Sequence, residues 1–306
     1  MRVALLPLVL LLGVLPQRLA DEPAVALGLW YAGPGAQPPS TATGDVEALR
    51  RDLAVVRRAG YNAVTTWVNW KEGEPTRGTY ALAGTERLVA AAAEAELQVS
   101  LVVFTEPAPA WAPGVPDAGA QFFAYVTRRL SLQRGVTRVV RHSPSFDGTG
   151  RIKVAPGAGP DARLAMWSAV ARGDRAVAFQ GTDGPLSSTV LSLGETAGVI
   201  TRNRSLFDPL RPRAEGVRSV AAEGGGAPVE IRLLESANAL MIIGLNHSPS
   251  PRKAMVSFLP DIPEAIWQNL ETGTQVHFVM GKSGPVLEHA FAPRDALVLM
   301  IRKRLR

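Results

Sequence analysis

The densest group of residues able to do chemistry lies between positions 67 and 111: Trp67, Asn69, Trp70, Glu74, Glu106 and Trp111. Indole rings are flat apolar platforms on which the C–H face of a pyranose stacks, and Asn and Glu offer fixed partners for its hydroxyls. That set is the candidate substrate-binding group, and the partner it implies is a carbohydrate. Glu74 and Glu106 follow neighbouring predicted strands and are the only candidates for a catalytic carboxylate pair. Glu74 sits in an E-P-x-x-G turn and can equally pin its own loop through backbone hydrogen bonds. Trp111 can equally be rim packing. The other acids suggest less: Asp147 lies in a Gly-rich loop, Asp183 follows the last strand of its region, and Glu195 reads as a helix start.

Other chemistries find no residues to run on. The 306-residue chain has no cysteine, which removes disulfides, thiolate metal sites and thiol nucleophiles. Its four histidines, His142, His247, His277 and His289, are scattered with no H-x-x-x-H pair, so no metal is expected. There is no G-x-S-x-G, no Walker loop and no G-x-G-x-x-G after a strand, and no cofactor is expected. The formal charge is +6, with Arg128, Arg129, Arg134, Arg138 and Arg141 grouped together. No aromatic residue interleaves them, so they read as a solvated helical face, and no nucleic-acid partner is expected.

Elements that could position the candidate residues are legible from the hydrophobic pattern. Residues 1–20 (MRVALLPLVLLLGVLPQRLA) read as a cleavable signal peptide: Arg2, an apolar run over 3–15 and a small-residue exit before Asp21. The run is too short for a stable membrane span, and the localisation expected is secreted or periplasmic. From residue 24 strands and helices alternate. Strands are expected at 25–31, 61–68, 98–104, 136–140, 151–155 and 176–180. Helices are expected at 45–59, capped by Asp45 and stopped by Gly60, then at 85–95, 121–132 and 161–172, with a last helical stretch over 196–210. That alternation predicts a parallel sheet in a (β/α) barrel, whose carboxyl-terminal loops build the site. Residues 213–228 include AAEGGGAP and read as a linker. Runs at 229–234, 240–246, 254–259, 275–279, 286–290 and 296–302 then predict a small antiparallel β-sandwich over 229–306. A homo-oligomer stays open.

The order Trp67, Trp70, Glu74-Pro75, Gly78, Thr79-Tyr80, followed by Pro107-x-Pro109-x-Trp111, resembles the amino-terminal barrel of family 42 glycoside hydrolases, the β-galactosidase type, and related family 35 members. Residues 24–112 carry the match. The Pro156-Gly157 turn, with its following helix and strand to Phe179-Gln180-Gly181, is similar to the end of that barrel. The turns at Asn246-His247-Ser248 and Asn269–Gly273 look like the small β-domain that follows it. The resemblance implies a partial TIM-type barrel over 21–212 that hydrolyses terminal β-galactosides with retention. It also implies an acid/base Glu in an Asn-Glu pair after the fourth strand and a nucleophilic Glu after the seventh. This chain has no Asn-Glu dipeptide and no Glu between Glu106 and Glu195. Residues 24–210 number 187 against roughly 250 for a closed barrel, and only about forty residues stand where four βα units would be. A deletion around 113–150 is expected, and with it impaired catalysis. The alternative is a non-catalytic sugar-binding or structural remnant of the family.

Overall fold

A computed structural model describes residues 25–34, 36, 45–142, 150–223, 228–263 and 265–303. The expected signal peptide and Asp147 lie outside the described residues. In chain order the first region holds β1 (Ala26–Trp30), α1 (Val46–Ala59), β2 (Ala63–Asn69), α2 (Trp70–Gly73), α3 (Ala83–Glu94), β3 (Gln98–Phe104), α4 (Ala118–Leu130), β4 (Val136–Arg141), β5 (Gly150–Val154), α5 (Gly159–Ala171), β6 (Ala176–Gly181), α6 (Ser188–Ser192), α7 (Gly194–Arg202) and α8 (Arg204–Phe207). The six strands form one parallel sheet in the order β4-β3-β2-β1-β6-β5. The last strand of the region thus pairs with the first, Leu27 beside Val177 and Leu29 beside Phe179, which is the closing contact of a (β/α) barrel.

Closure fails at one place. Among the described residues β4 pairs only with β3 and β5 only with β6. Six of the usual eight strands are present, so this is a partial TIM-type barrel with a gap between β4 and β5. The shortfall is therefore smaller than the four units read from chain length. Residues 118–141 supply an ordinary helix and strand: Phe122, Val126 and Leu130 form the buried stripe of α4, at helical spacing. The sheet breaks only after Arg141.

The inner elements follow from local sequence. In α1, Leu49, Leu53 and Val56 face the core. Asp45 occupies the N-cap position but makes no side-chain cap hydrogen bond. Gly60 ends the helix at φ 111°, and a Cβ there would lie 2.3 Å from the Gly194 carbonyl oxygen of α7, so only glycine permits this crossing. β1 and β2 are buried on both faces, which is why they read as nearly continuous apolar runs.

Ten strands follow: β7 (Arg211–Arg213), β8 (Val217–Ala222), β9 (Glu230–Glu235), β10 (Ala239–Asn246), β11 (Arg252–Phe258), β12 (Ile266–Asn269), β13 (Gln275–His277), β14 (Val279–Gly281), β15 (Gly284–Phe291) and β16 (Asp295–Arg302). They form two antiparallel sheets, β13-β12-β16-β10-β9-β7 and β14-β15-β11-β8. The run read as a linker contains β8, which pairs with β11, because strand pairing and not apolar content holds this exposed edge. The stretch at 275–279 is two strands: the chain crosses between sheets at Phe278, whose ring stacks on Phe258 at 5.3 Å and on Trp267 at 5.2 Å.

β10 joins the two regions. Leu240 and Ile242 point into the sandwich core, while Met241, Ile243 and Leu245 join the core shared with α5. The interface is also ionic. The Arg163 guanidinium of α5 pairs with Glu271, with Asp295 at 3.0 Å, and donates to the Ala296 carbonyl at 2.8 Å. Trp167 Nε1 donates to Glu271 Oε1 at 3.0 Å. The turn at Asn269–Gly273 thus delivers a carboxylate to the barrel's last long helix.

Candidate functional site

The strand after α1 ends in the segment that sequence singled out, and its side chains divide between two places. Asn69 is buried and caps α2 by accepting from the Lys71 N–H at 2.9 Å. Trp70 packs outward, edge-on to Trp111 at 5.7 Å and stacked on Phe122 of α4 at 6.1 Å. Glu74 is only 4% exposed, and both its carboxylate oxygens are occupied. Oε2 accepts from Trp70 Nε1 at 3.0 Å and Oε1 from the Gly78 N–H at 2.8 Å. The Trp111 indole donates to the Glu74 carbonyl at 3.0 Å. Tyr80 closes the group, stacked on Tyr125 at 3.5 Å, and its hydroxyl pKa is raised by burial and then by the Glu74 charge. Trp70, Glu74, Trp111 and Tyr80 therefore form one clamp over α4, an arrangement that favours the loop-pinning reading of Glu74 and the packing reading of Trp111.

Glu106 is elsewhere. It is exposed just beyond β3, at a cis Glu106–Pro107 bond, and among the described residues shares no hydrogen bond or ion pair with Glu74. Asp183 and Glu195 are exposed as well. Trp67 faces the other way from Trp70: it is 1% exposed on the inner face of the sheet and stacks on Trp30 at 5.6 Å.

That inner face follows from strand register. Trp30 pairs with Thr65, two residues before Trp67; Trp67 pairs with Val102, and Val102 with Val140. At the rim Phe104 stacks on His142 at 4.3 Å. Across the sheet, Arg151 pairs with Ala178 and Lys153 with Gln180, on strand β6 beside β1. The Arg151 guanidinium lies 5.0 Å above the Trp30 ring, a cation–π contact. Arg138 pairs with Ser100 on the same face. Alternation in strands puts these residues together although they span 120 positions of sequence. Of this group, sequence reasoning marked only Trp67 as a site residue. The available signal was the i, i+2 spacing of Arg151 and Lys153 in a run with no acid.

Comparison with known proteins bears on this geometry. The family 42 glycoside hydrolase model, described as beta-galactosidase, matches residues 40–118. Over that stretch the sequence is similar to that family. The match covers α1 to the start of α4, the portion that includes the Glu74 clamp and Glu106. Similar solved structures are also glycoside hydrolases. A family 39 glycoside hydrolase from the gut symbiont Bacteroides cellulosilyticus WH2 aligns with 10% identity and TM-score 0.50 over 92% of this chain and 82% of its own. The alpha-amylase of Geobacillus thermoleovorans, solved with acarbose, aligns with 8% identity and TM-score 0.55 over 94% of this chain and all of its own. At such identities the likeness is one of fold. No curated protein matches.

The barrel count then locates the positions at which the family would hold its carboxylates. β6 closes onto β1 as an eighth strand does, which makes β5 the seventh. After β4 comes His142, the last described residue there; after β5 come Ala155 and Pro156. Neither described strand end carries a carboxylate.

Proposed function

We propose that this protein binds carbohydrate on the inner face of a β-galactosidase-type barrel and does not hydrolyse it. One observation carries the reading: the inner positions of the six strands present aromatic, amide and cationic side chains, and no acidic residue among those described. Retaining hydrolysis needs two carboxylates about 5–5.5 Å apart, one to protonate the leaving oxygen and one to attack the anomeric carbon. Glu74 has both oxygens engaged inside its own loop, and among the described residues no other carboxylate is paired with Glu106. His142, half-buried and stacked on Phe104 at the rim, offers the ring surface that a sugar can meet, while Trp30 and Trp67, 2% and 1% exposed, pack within the core.

Hydrolysis of terminal β-galactosides is the competing reading, favoured by the family match and by Glu106, exposed at the carboxyl-terminal end of β3, where barrel enzymes hold their catalytic groups. Release of nitrophenol from nitrophenyl β-galactoside decides between them. The expected result is no release above buffer. Turnover of about 1–10³ per second that Glu106→Gln abolishes would establish the hydrolase instead. Export to the cell exterior, proposed from residues 1–20, is checked by amino-terminal sequencing of secreted material, which should begin near Asp21.

A further inference from the structure

We infer that the barrel holds one buried water molecule as a fixed part of its closure, bridging Trp30 of β1 and Gln180 of β6. The backbone pairing that closes the barrel starts at Ala26 with Ala176, and its last pair is Leu29 with Phe179. Trp30 and Gln180 are the next residues on the two strands. By register they stand side by side, and by strand alternation they share the inner face with Gly28 and Ala178. Trp30 is 2% exposed, and its Nε1–H has no acceptor among the described residues. The Gln180 Oε1 is buried as well and has no donor. A lone donor thus sits beside a lone acceptor where the backbone pairing of β1 with β6 ends.

The indole cannot swing away to find solvent. Its ring is stacked on Trp67 at 5.6 Å and lies under the Arg151 guanidinium at 5.0 Å, so the direction of its N–H is set. Native folds satisfy buried polar groups with protein or with ordered water. One hydroxyl-bearing molecule answers both groups, accepting from the indole N–H and donating to the amide oxygen. A cation would be repelled by the N–H and an anion by the amide oxygen. Depth sets the size of the guest: with Trp30 and Trp67 2% and 1% exposed, a sugar ring does not reach this point, and a water does. The water carries the β1–β6 pairing one residue further through side chains. It is present whatever ligand the rim takes.

The test reads the water directly by nuclear magnetic resonance. In isotope-labelled protein the Trp30 indole N–H, assigned by through-bond transfer from its own backbone, should show a cross-peak to water with the sign of slow exchange. Gln180→Met removes the acceptor at similar volume and should abolish that cross-peak. Thermal melts supply a second reading. Trp30→Phe and Gln180→Met each leave the other group without its bridge, so the double variant should lose less than the two single losses added, by about 2–4 °C. No water cross-peak in the parent protein overturns the proposal even where a variant fails to fold. A cross-peak from the indole N–H to the Gln180 side chain, with none to water, would show a direct bond and overturn it too. So would additive losses, or a water cross-peak unchanged in Gln180→Met.

Discussion

Replacing Glu74 by alanine discriminates between a structural carboxylate and a catalytic one. The side chain is 4% exposed, and its oxygens accept from the Trp70 indole N–H at 3.0 Å and the Gly78 N–H at 2.8 Å. Glu74→Ala strands the buried Trp70 donor away from water, whereas Gly78 is exposed and its N–H can turn to solvent. One unsatisfied buried donor costs about 1–3 kcal/mol. The Trp111 bond goes to the Glu74 main-chain carbonyl and survives the change. Glu74→Gln keeps one acceptor but turns an NH2 toward a donor, at about half that cost. The assay is urea unfolding followed by tryptophan fluorescence. With a denaturant slope of about 3 kcal/mol per molar, Glu74→Ala should lower the midpoint by about 0.3–1 M and Glu74→Gln by about half as much. A Glu74→Ala midpoint within about 0.2 M of the parent would refute the clamp and free Glu74 for chemistry.

Three further outcomes follow from the packing. Arg163→Ala should destabilise the protein by about 2–3 kcal/mol in thermal melts, below the cost of breaking a fully buried pair, because Glu271 and Asp295 keep some solvent; an unchanged melt would remove α5 as the joint between the regions. Gly60→Ala should cost about 3 kcal/mol or more, since φ is 111° and the new Cβ would meet the Gly194 carbonyl at 2.3 Å; soluble, fully stable protein would contradict that crossing. His289, edge-on to Phe291 at 4.5 Å, has its pKa lowered by burial, against a smaller opposing effect of Asp295. Below about pH 6.5 the unfolded chain then binds a proton that the folded chain resists, so stability falls as pH drops; His289→Phe should flatten that slope, and an unaltered pH profile would assign it to other groups.

What could be read from the chain depended on periodicity. The helix at 118–130 declares itself through Phe122, Val126 and Leu130, and β10 through an unbroken apolar run that two different cores share. Edge strands left weaker traces. β4 (VTRVVR) and β8 (VRSVAA) are half or mostly exposed, carry arginines where a central strand would carry Val or Ile, and are held by backbone pairing. The site was harder still. Sequence adjacency put Trp67 and Trp70 together, yet strand alternation followed by the turn into α2 sends them to opposite sides of the sheet. Conversely Trp30, Arg151 and Gln180 meet only through the β1–β6 closure, a contact across about 150 residues that no local pattern encodes.

The gap in the barrel and the charge of its inner face have one physical root. Removing two strands from a closed sheet leaves two rows of unpaired backbone groups, and such edges invite pairing with another chain. Here both edges are studded with cations, Arg138 and Arg141 on β4, Arg151 and Lys153 on β5, and a second copy approaching either edge would meet like charge. Stability lost with the missing units is offset beside the edge strand β5, where the following helix α5 is buried against β10 and β16 and locked by Arg163. A barrel whose described strands stop at one seam carries basic side chains on both edges there, and like charge on those edges opposes pairing with a second copy.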